Sequence, residues 1–128
     1  MKLLLDTHVF LWIAQGKIEN LSRKAVDLFE KSEEIWFSAA SYWEISIKFS
    51  LGKLELHPDW VRDFDKGMQE NQIQWLPIEK KHCLEVSVLP FHHRDPFDRL
   101  LIAQAKISNL TLLTKDRAFS LYSIPTIW

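Results

Sequence analysis

The sequence contains one cysteine, three glycines and five prolines, and no apolar run long enough to cross a bilayer. A single thiol, Cys83, excludes an intrachain disulfide and suits a reducing compartment. Its expected place is inside the protein, as a small buried apolar residue rather than a reactive thiol. So little glycine and proline excludes collagen-like and low-complexity chains. Neither sign of charge dominates: 16 Lys and Arg face 17 Asp and Glu, for a formal net charge of −1. Nucleic-acid binders are usually basic, so this balance counts mildly against such a partner, unless metal ions consume several carboxylates. The opening stretch KLLLDTHVFLWIA is interrupted by Asp6 and His8, and no A-x-A-like cleavage site follows. It is therefore read as part of the domain and not as a secretory signal. The expectation is a soluble cytoplasmic protein with no membrane contact.

What is present is an ordinary globular composition, 47% hydrophobic and 26% charged over 128 residues. That length suits one domain with a sizeable core. Lys2–Leu5, Ile35–Phe37, Ile73–Leu76 and Thr111–Leu113 are short apolar runs that read as buried strands, with Thr126–Ile127 as a short fifth. Between them lie helical patterns. Thr7–Gln15 is apolar almost all round. Ser22 caps a helix to about Lys31, and Ser38 caps one from Ala39 to about Leu51 that Gly52 ends. Pro58 opens a helix over about Asp59–Glu70. Glu79–Val88 is stopped by Pro90, and Pro96 opens a helix to about Ile107. Strands alternating with helices predict an α/β fold: a three-layer α/β/α sandwich around a mainly parallel sheet of four or five strands.

Four acids stand where such a fold would gather them. Asp6 follows the first strand and Asp116 follows the fourth, at the carboxyl ends where parallel sheets open a ligand crevice. Asp98 shares a helix face with Leu101, Ile102 and Ala105; Glu44 shares one with Ala40, Ile47 and Leu51. Both acids therefore head apolar stripes, and a buried carboxylate needs a partner or a metal. Carboxylates converging without matching bases want a cation, and oxygen-only ligands favour Mg²⁺ or Mn²⁺. No Cys/His spacing suggests zinc. Such a site suits phosphodiester hydrolysis. Each acid also has a plainer reading. Asp95, Pro96 and Asp98 spell a helix start, with Asp95 as N-cap and Asp98 as the third residue of a capping box. Glu44 and Lys48 form an i,i+4 pair. Asp6 can favour a helix N-terminus, and Asp116 can be a turn residue.

At these residues the sequence resembles the PIN-domain ribonucleases, in particular the VapC-type toxins of toxin–antitoxin pairs. Four blocks carry the resemblance: LLLDTHVFLW, S-x-WEISIK-x-x-LGKL, HRDPFDRLLIAQA and LLTKD. They run in order across nearly the whole chain, and the third is the most specific. The resemblance implies an endoribonuclease dependent on Mg²⁺ or Mn²⁺, with its acids at Asp6, Glu44, Asp98 and Asp116. It implies Asp6 and Asp98 as the most direct metal ligands. Glu44 then binds metal or orients the attacking water, and Asp116 completes the site directly or through water. Thr7 and Thr114 are candidates to hydrogen-bond a carboxylate or a metal-bound water, or are merely cap and strand-end residues. Asp95 is a helix cap with a supporting role at the site in reserve. Arg94, Arg99, Lys115 and Arg117 flank the acids and are candidates to hold RNA phosphates, or else solvated counter-charges. His92 and His93 are read as loop residues.

The resemblance also implies homodimerisation and a cognate antitoxin laid in an apolar groove. Val9–Ile13 is expected to pack one face on the sheet and to need cover on another, and Trp43, Phe49 and Leu51 add to the apolar excess. Three other readings compete. One is a Mg²⁺-dependent nuclease acting on DNA or structured nucleic acid. Another is a phosphotransfer module, which Thr7 and His8 after Asp6 disfavour. The third is a non-catalytic binding module, which the retained acids disfavour.

Overall fold

The computed structural model describes residues 1–128. Five parallel strands, β1 (Lys2–Leu5), β2 (Glu34–Ser38), β3 (Ile73–Leu76), β4 (Thr111–Leu113) and β5 (Thr126–Ile127), form one sheet in the order β3-β2-β1-β4-β5. β1 is central, with Leu3 opposite Ile35 on one side and Thr111 on the other. The chain builds outward from β1 to β2 and β3, then returns to lay β4 against the free side of β1. The strand order therefore reverses between β1 and β4, and a crevice opens there at the carboxyl ends.

Six helices cover the sheet: α1 (Thr7–Ala14), α2 (Arg23–Lys31), α3 (Ala39–Ser50), α4 (Trp60–Glu70), α5 (Lys80–Val86) and α6 (Pro96–Ser108). Side chains alternate across a strand, and the alternation feeds two separate cores. Leu3, Leu5, Ile35 and Phe37 point to one side, where Val9, Phe10, Ala25, Ile45 and Phe64 pack from the helices. Leu4 and Leu112 point to the other, against Leu101, Ile102, Ala105 and Phe119. Phe10 stacks on Phe37 with ring centroids 3.7 Å apart and meets Phe64 edge-on at 5.1 Å. Each such side chain buried contributes about 1.5–3 kcal/mol against leaving it in water. The three-layer α/β/α sandwich expected from the sequence is the fold observed.

The local signals work as their chemistry demands. Ser22 Oγ accepts from Ala25 N at 3.0 Å and Ser38 Oγ from Ala40 N at 2.9 Å, each occupying an otherwise orphaned donor. Gly52, at φ +70°, ends α3. Its N–H bonds back to Phe49 O and that of Lys53 to Lys48 O, the paired closure that a left-handed residue allows. Two helix bounds differ from expectation. α4 starts at Trp60 because Pro58 and Asp59 form a turn, where Asp59 N donates to the His57 ring at 3.1 Å. α5 ends at Val86, and Ser87–Leu89 continue as turns. Two 3₁₀ segments, Ile18–Asn20 and Arg117–Leu121, carried no clear sequence signal.

Candidate active site

At the reversal point the four acids come together. Asp6, Glu44, Asp98 and Asp116 line one cleft of about 120 Å³ with His8, Lys48, Asp95 and Phe119. They arrive from β1, α3, α6 and the segment after β4, four pieces of chain far apart in sequence.

Asp6 is the residue between β1 and α1, and its backbone N–H bonds to Leu113 O, tying it to β4. It occupies the N-cap position without capping the helix, so its carboxylate is free for other use. That carboxylate accepts from Thr114 Oγ1 at 2.7 Å, and the same hydroxyl accepts from Asp116 N at 3.0 Å. One threonine thus sets the position of two acids. Burial pushes the Asp6 carboxyl above the usual aspartate range. The Thr114 bond and the nearby His8 offset part of this, while the charge of Glu44 adds to it. Asp116 is exposed, and its Oδ1 accepts from Ala118 N.

Glu44 is only 4% exposed. Thr7 Oγ1 lies 2.8 Å from Glu44 Oε1 and 2.8 Å from Ser41 Oγ. A hydroxyl has one proton to give, and the carboxylate is the stronger acceptor. Lys48 Nζ donates to Glu44 Oε2 at 2.6 Å. The i,i+4 pair read from the sequence is real, but it is half-buried and opens into the cleft rather than onto a solvated face. The bond to Glu44 raises the Lys48 pKa, and the charges of Glu44, Asp95 and Asp98 add to it.

Asp98 sits in the first turn of α6. Asp95 Oδ1 caps that turn, accepting from Phe97 N at 2.9 Å and Asp98 N at 3.0 Å. The Asp98 carboxylate returns no bond to Asp95, so the capping-box reading fails for it. It faces the cleft instead, where its Oδ2 lies 4.0 Å from Nε2 of the His93 ring. Burial pushes its carboxyl up to about 8, with Asp95, Asp6, Glu44 and Asp116 all raising it further by repulsion.

In kind, these donors fit a hard divalent ion: all are oxygens, and their mutual repulsion is a cost that a cation removes. They are not a ready-made cage, since no three are already gathered about one point. Part of the negative charge is instead met by Lys48.

Several expectations need correction. Arg99 is not poised for a phosphate: it is 4% exposed, on a buried face of α6. Its guanidinium donates to Pro90 O at 2.7 Å, Val86 O at 3.2 Å and Leu89 O at 3.3 Å, and covers the Phe91 ring at 4.1 Å. Arg94, Lys115 and Arg117 are exposed. Cys83 is exposed, not buried. α1 needs no outside cover: Val9, Phe10, Leu11 and Ile13 are all buried, and α4 and the carboxyl-terminal Trp128 pack over them. Trp43, Phe49 and Leu51 are exposed as expected. Sequence reasoning passed over His8, Lys48 and Ser41 as parts of the site. His8 stood inside the D-T-H block, and the i,i+4 spacing of Lys48 pointed at Glu44.

No helix of the structure is long and apolar enough to cross a membrane. No curated protein sequence matches the chain. Among solved structures, the chain is similar to VapBC2 from Rickettsia felis bound to a promoter DNA fragment, at TM-score 0.76 and 14% identity, covering 99% of this chain and 98% of that one. It is similar to VapBC-1 from nontypeable Haemophilus influenzae, at TM-score 0.74 and 15% identity, covering 99% and 97%. It is also similar to a toxin–antitoxin complex from Klebsiella pneumoniae, at TM-score 0.62 and 13% identity, covering 99% and 97%. At these identities the likeness speaks for the fold. The PIN domain family matches residues 3–124. With that match spanning almost its whole length and its acids at the sheet's reversal point, the chain belongs to the PIN-domain family, whose members are nucleases.

Proposed function

We propose that this nuclease is a Mg²⁺- or Mn²⁺-dependent endoribonuclease, acting as the toxin of a toxin–antitoxin pair. The observation that carries the reading is the single cleft lined by Asp6, Glu44, Asp98 and Asp116. A bound divalent ion supplies a water of lowered pKa and neutralises charge on the phosphate. Asp6 and Asp98 are its direct ligands, and Asp116 completes the site directly or through water. Thr114 fixes the Asp6 carboxylate against rotation. Thr7 and Lys48 hold the two oxygens of Glu44 apart and in place, which suits it to binding the ion or orienting the attacking water. Asp95 supports the site by holding the first turn of α6. Arg94, Lys115 and Arg117 are exposed and able to hold RNA phosphates.

An antitoxin partner is supported by the toxin–antitoxin complexes among the similar structures. Exposed Trp43, Leu84, Val88 and Phe91 support a protein-binding surface, for the antitoxin or for a second copy in a homodimer.

The test is a digest of single-stranded RNA beside DNA of the same sequence. RNA should be cut in Mg²⁺ or Mn²⁺, EDTA should stop the reaction, and added cation should restore it. Asp6→Asn should reduce the rate by about a thousandfold while the circular dichroism spectrum is kept. Wild-type rates from Asp6→Asn, or cleavage of DNA alone, would sink the assignment.

A further inference from the structure

Beside the carboxylate cleft lies a wider groove, and the reaction as proposed leaves its aromatic wall, His8 and Trp12, unused. It encloses about 350 Å³ between Asp6, His8, Val9, Trp12, Lys115 and Asp116. That is near the lower end of the volumes that hold small ligands. Asp6, His8 and Asp116 line both hollows, so one runs into the other. His8 and Trp12 are four residues apart on α1 and therefore share a face. Their ring centroids are 6.2 Å apart, tilted at 45°. Trp128 packs on Trp12 at 6.0 Å, which holds the half-buried indole in place. Lys115 is exposed across the groove, where β4 ends. Val9 and Trp12 make the apolar part of the lining, and Asp6, His8, Lys115 and Asp116 make the polar part. Aromatic rings beside a cation, continuous with the carboxylate cleft, match an unpaired nucleotide, which has an apolar face and a charged phosphate.

Resting on the nuclease reading above, we propose that this groove is a base-binding subsite: one nucleobase of the strand lying across the carboxylates stacks on His8 and Trp12, and Lys115 takes an adjoining phosphate. Stacking uses the face of a base, which every base has, so the subsite distinguishes unpaired from paired strands rather than one sequence from another.

The experiment uses the full chain carrying Asp98→Asn, which keeps RNA intact and leaves the groove lining unchanged. Binding of a fluorescein-labelled single-stranded oligoribonucleotide is followed by anisotropy in Mg²⁺. Adding His8→Ala or Trp12→Leu should weaken binding by about tenfold. Adding Lys115→Ala should lower the slope of log affinity against log salt by about one. An abasic nucleotide walked along the strand should cost about tenfold at one position, and nothing there once Trp12 is Leu. His8 is exposed, so its variant reports even if Trp12→Leu disturbs packing. Unchanged RNA affinity in both aromatic variants, or duplex bound as tightly as single strand, overturns the subsite and leaves the nuclease reading standing. Unchanged RNA affinity together with weakened self-association would assign the groove to a second copy of the chain and overturn it too. Failure of the parent to bind RNA at all overturns both readings.

Discussion

Two helices each bring an acid to the cleft, and each acid has a cation close to it in the chain. On α3, Glu44 has Lys48 four residues on; on α6, Asp98 has Arg99 next to it. The outcomes are opposite. Lys48 shares the helix face of Glu44 and bonds it at 2.6 Å. Arg99 is about 100° round the helix from Asp98, and its guanidinium is spent on the carbonyls of residues 86, 89 and 90. The α3 side is thus neutralised by the protein, whereas the α6 side keeps an acid pushed up to about 8. Angular position on the helix, rather than nearness in sequence, decides which acid the protein pairs with a cation.

Substitutions on the two sides should therefore differ in sign as well as size. The largest effect on stability is expected from Arg99→Met, which leaves the buried Leu89 carbonyl and the part-buried Val86 and Pro90 carbonyls without their donor. It should cost about 3 kcal/mol in urea unfolding, and a loss below about 0.5 kcal/mol would show that the loop finds other partners.

Next is Asp98→Asn measured in EDTA. The folded Asp98 carboxyl holds its proton up to about pH 8, whereas an unfolded aspartate releases it near pH 4. The raised pKa therefore favours folding below pH 4, and this advantage is lost as pH rises towards 8. The asparagine variant should match wild type at pH 4 and exceed it by about 1–3 kcal/mol at pH 8. Added Mg²⁺ should raise the wild-type melting temperature more than that of the variant. A variant less stable than wild type at pH 8 would mean that Asp98 is already satisfied.

The smallest effect is expected from Glu44→Gln, which should lower stability by about 1 kcal/mol because Lys48 loses its charged partner. A stabilising Glu44→Gln would erase the contrast between the two sides.

Much of the architecture was legible because local chemistry and burial agree. Continuous apolar runs became the inner strands, and Ser22, Ser38, Gly52 and Asp95–Pro96 marked helix ends that the structure keeps. The four acids were legible because Asp6 and Asp116 follow strands while Glu44 and Asp98 sit on apolar faces. Direction was harder to read. A cation beside an acid in sequence suggests a shared site, and only the packing of α6 against the residue 86–91 loop turns Arg99 inward. Cys83 was misjudged for a similar reason: it lines an open hollow with Val86 of α5 and Phe97 and Leu100 of α6, and so stays exposed. The 3₁₀ segments were missed because single turns are set by what they pack against.

The central strand has a consequence for how the molecule comes apart. β1 sends Leu3 and Leu5 into one core and Leu4 into the other, and all three are fully buried. A helical layer covers each of its faces and a strand pairs with each of its edges, so its amides should exchange with deuterium only when the whole chain opens. Asp6 is anchored to the same ladder through Leu113. The first acid of the cleft thus rides on the element that opens last, and fraying of the outer turns leaves it in place.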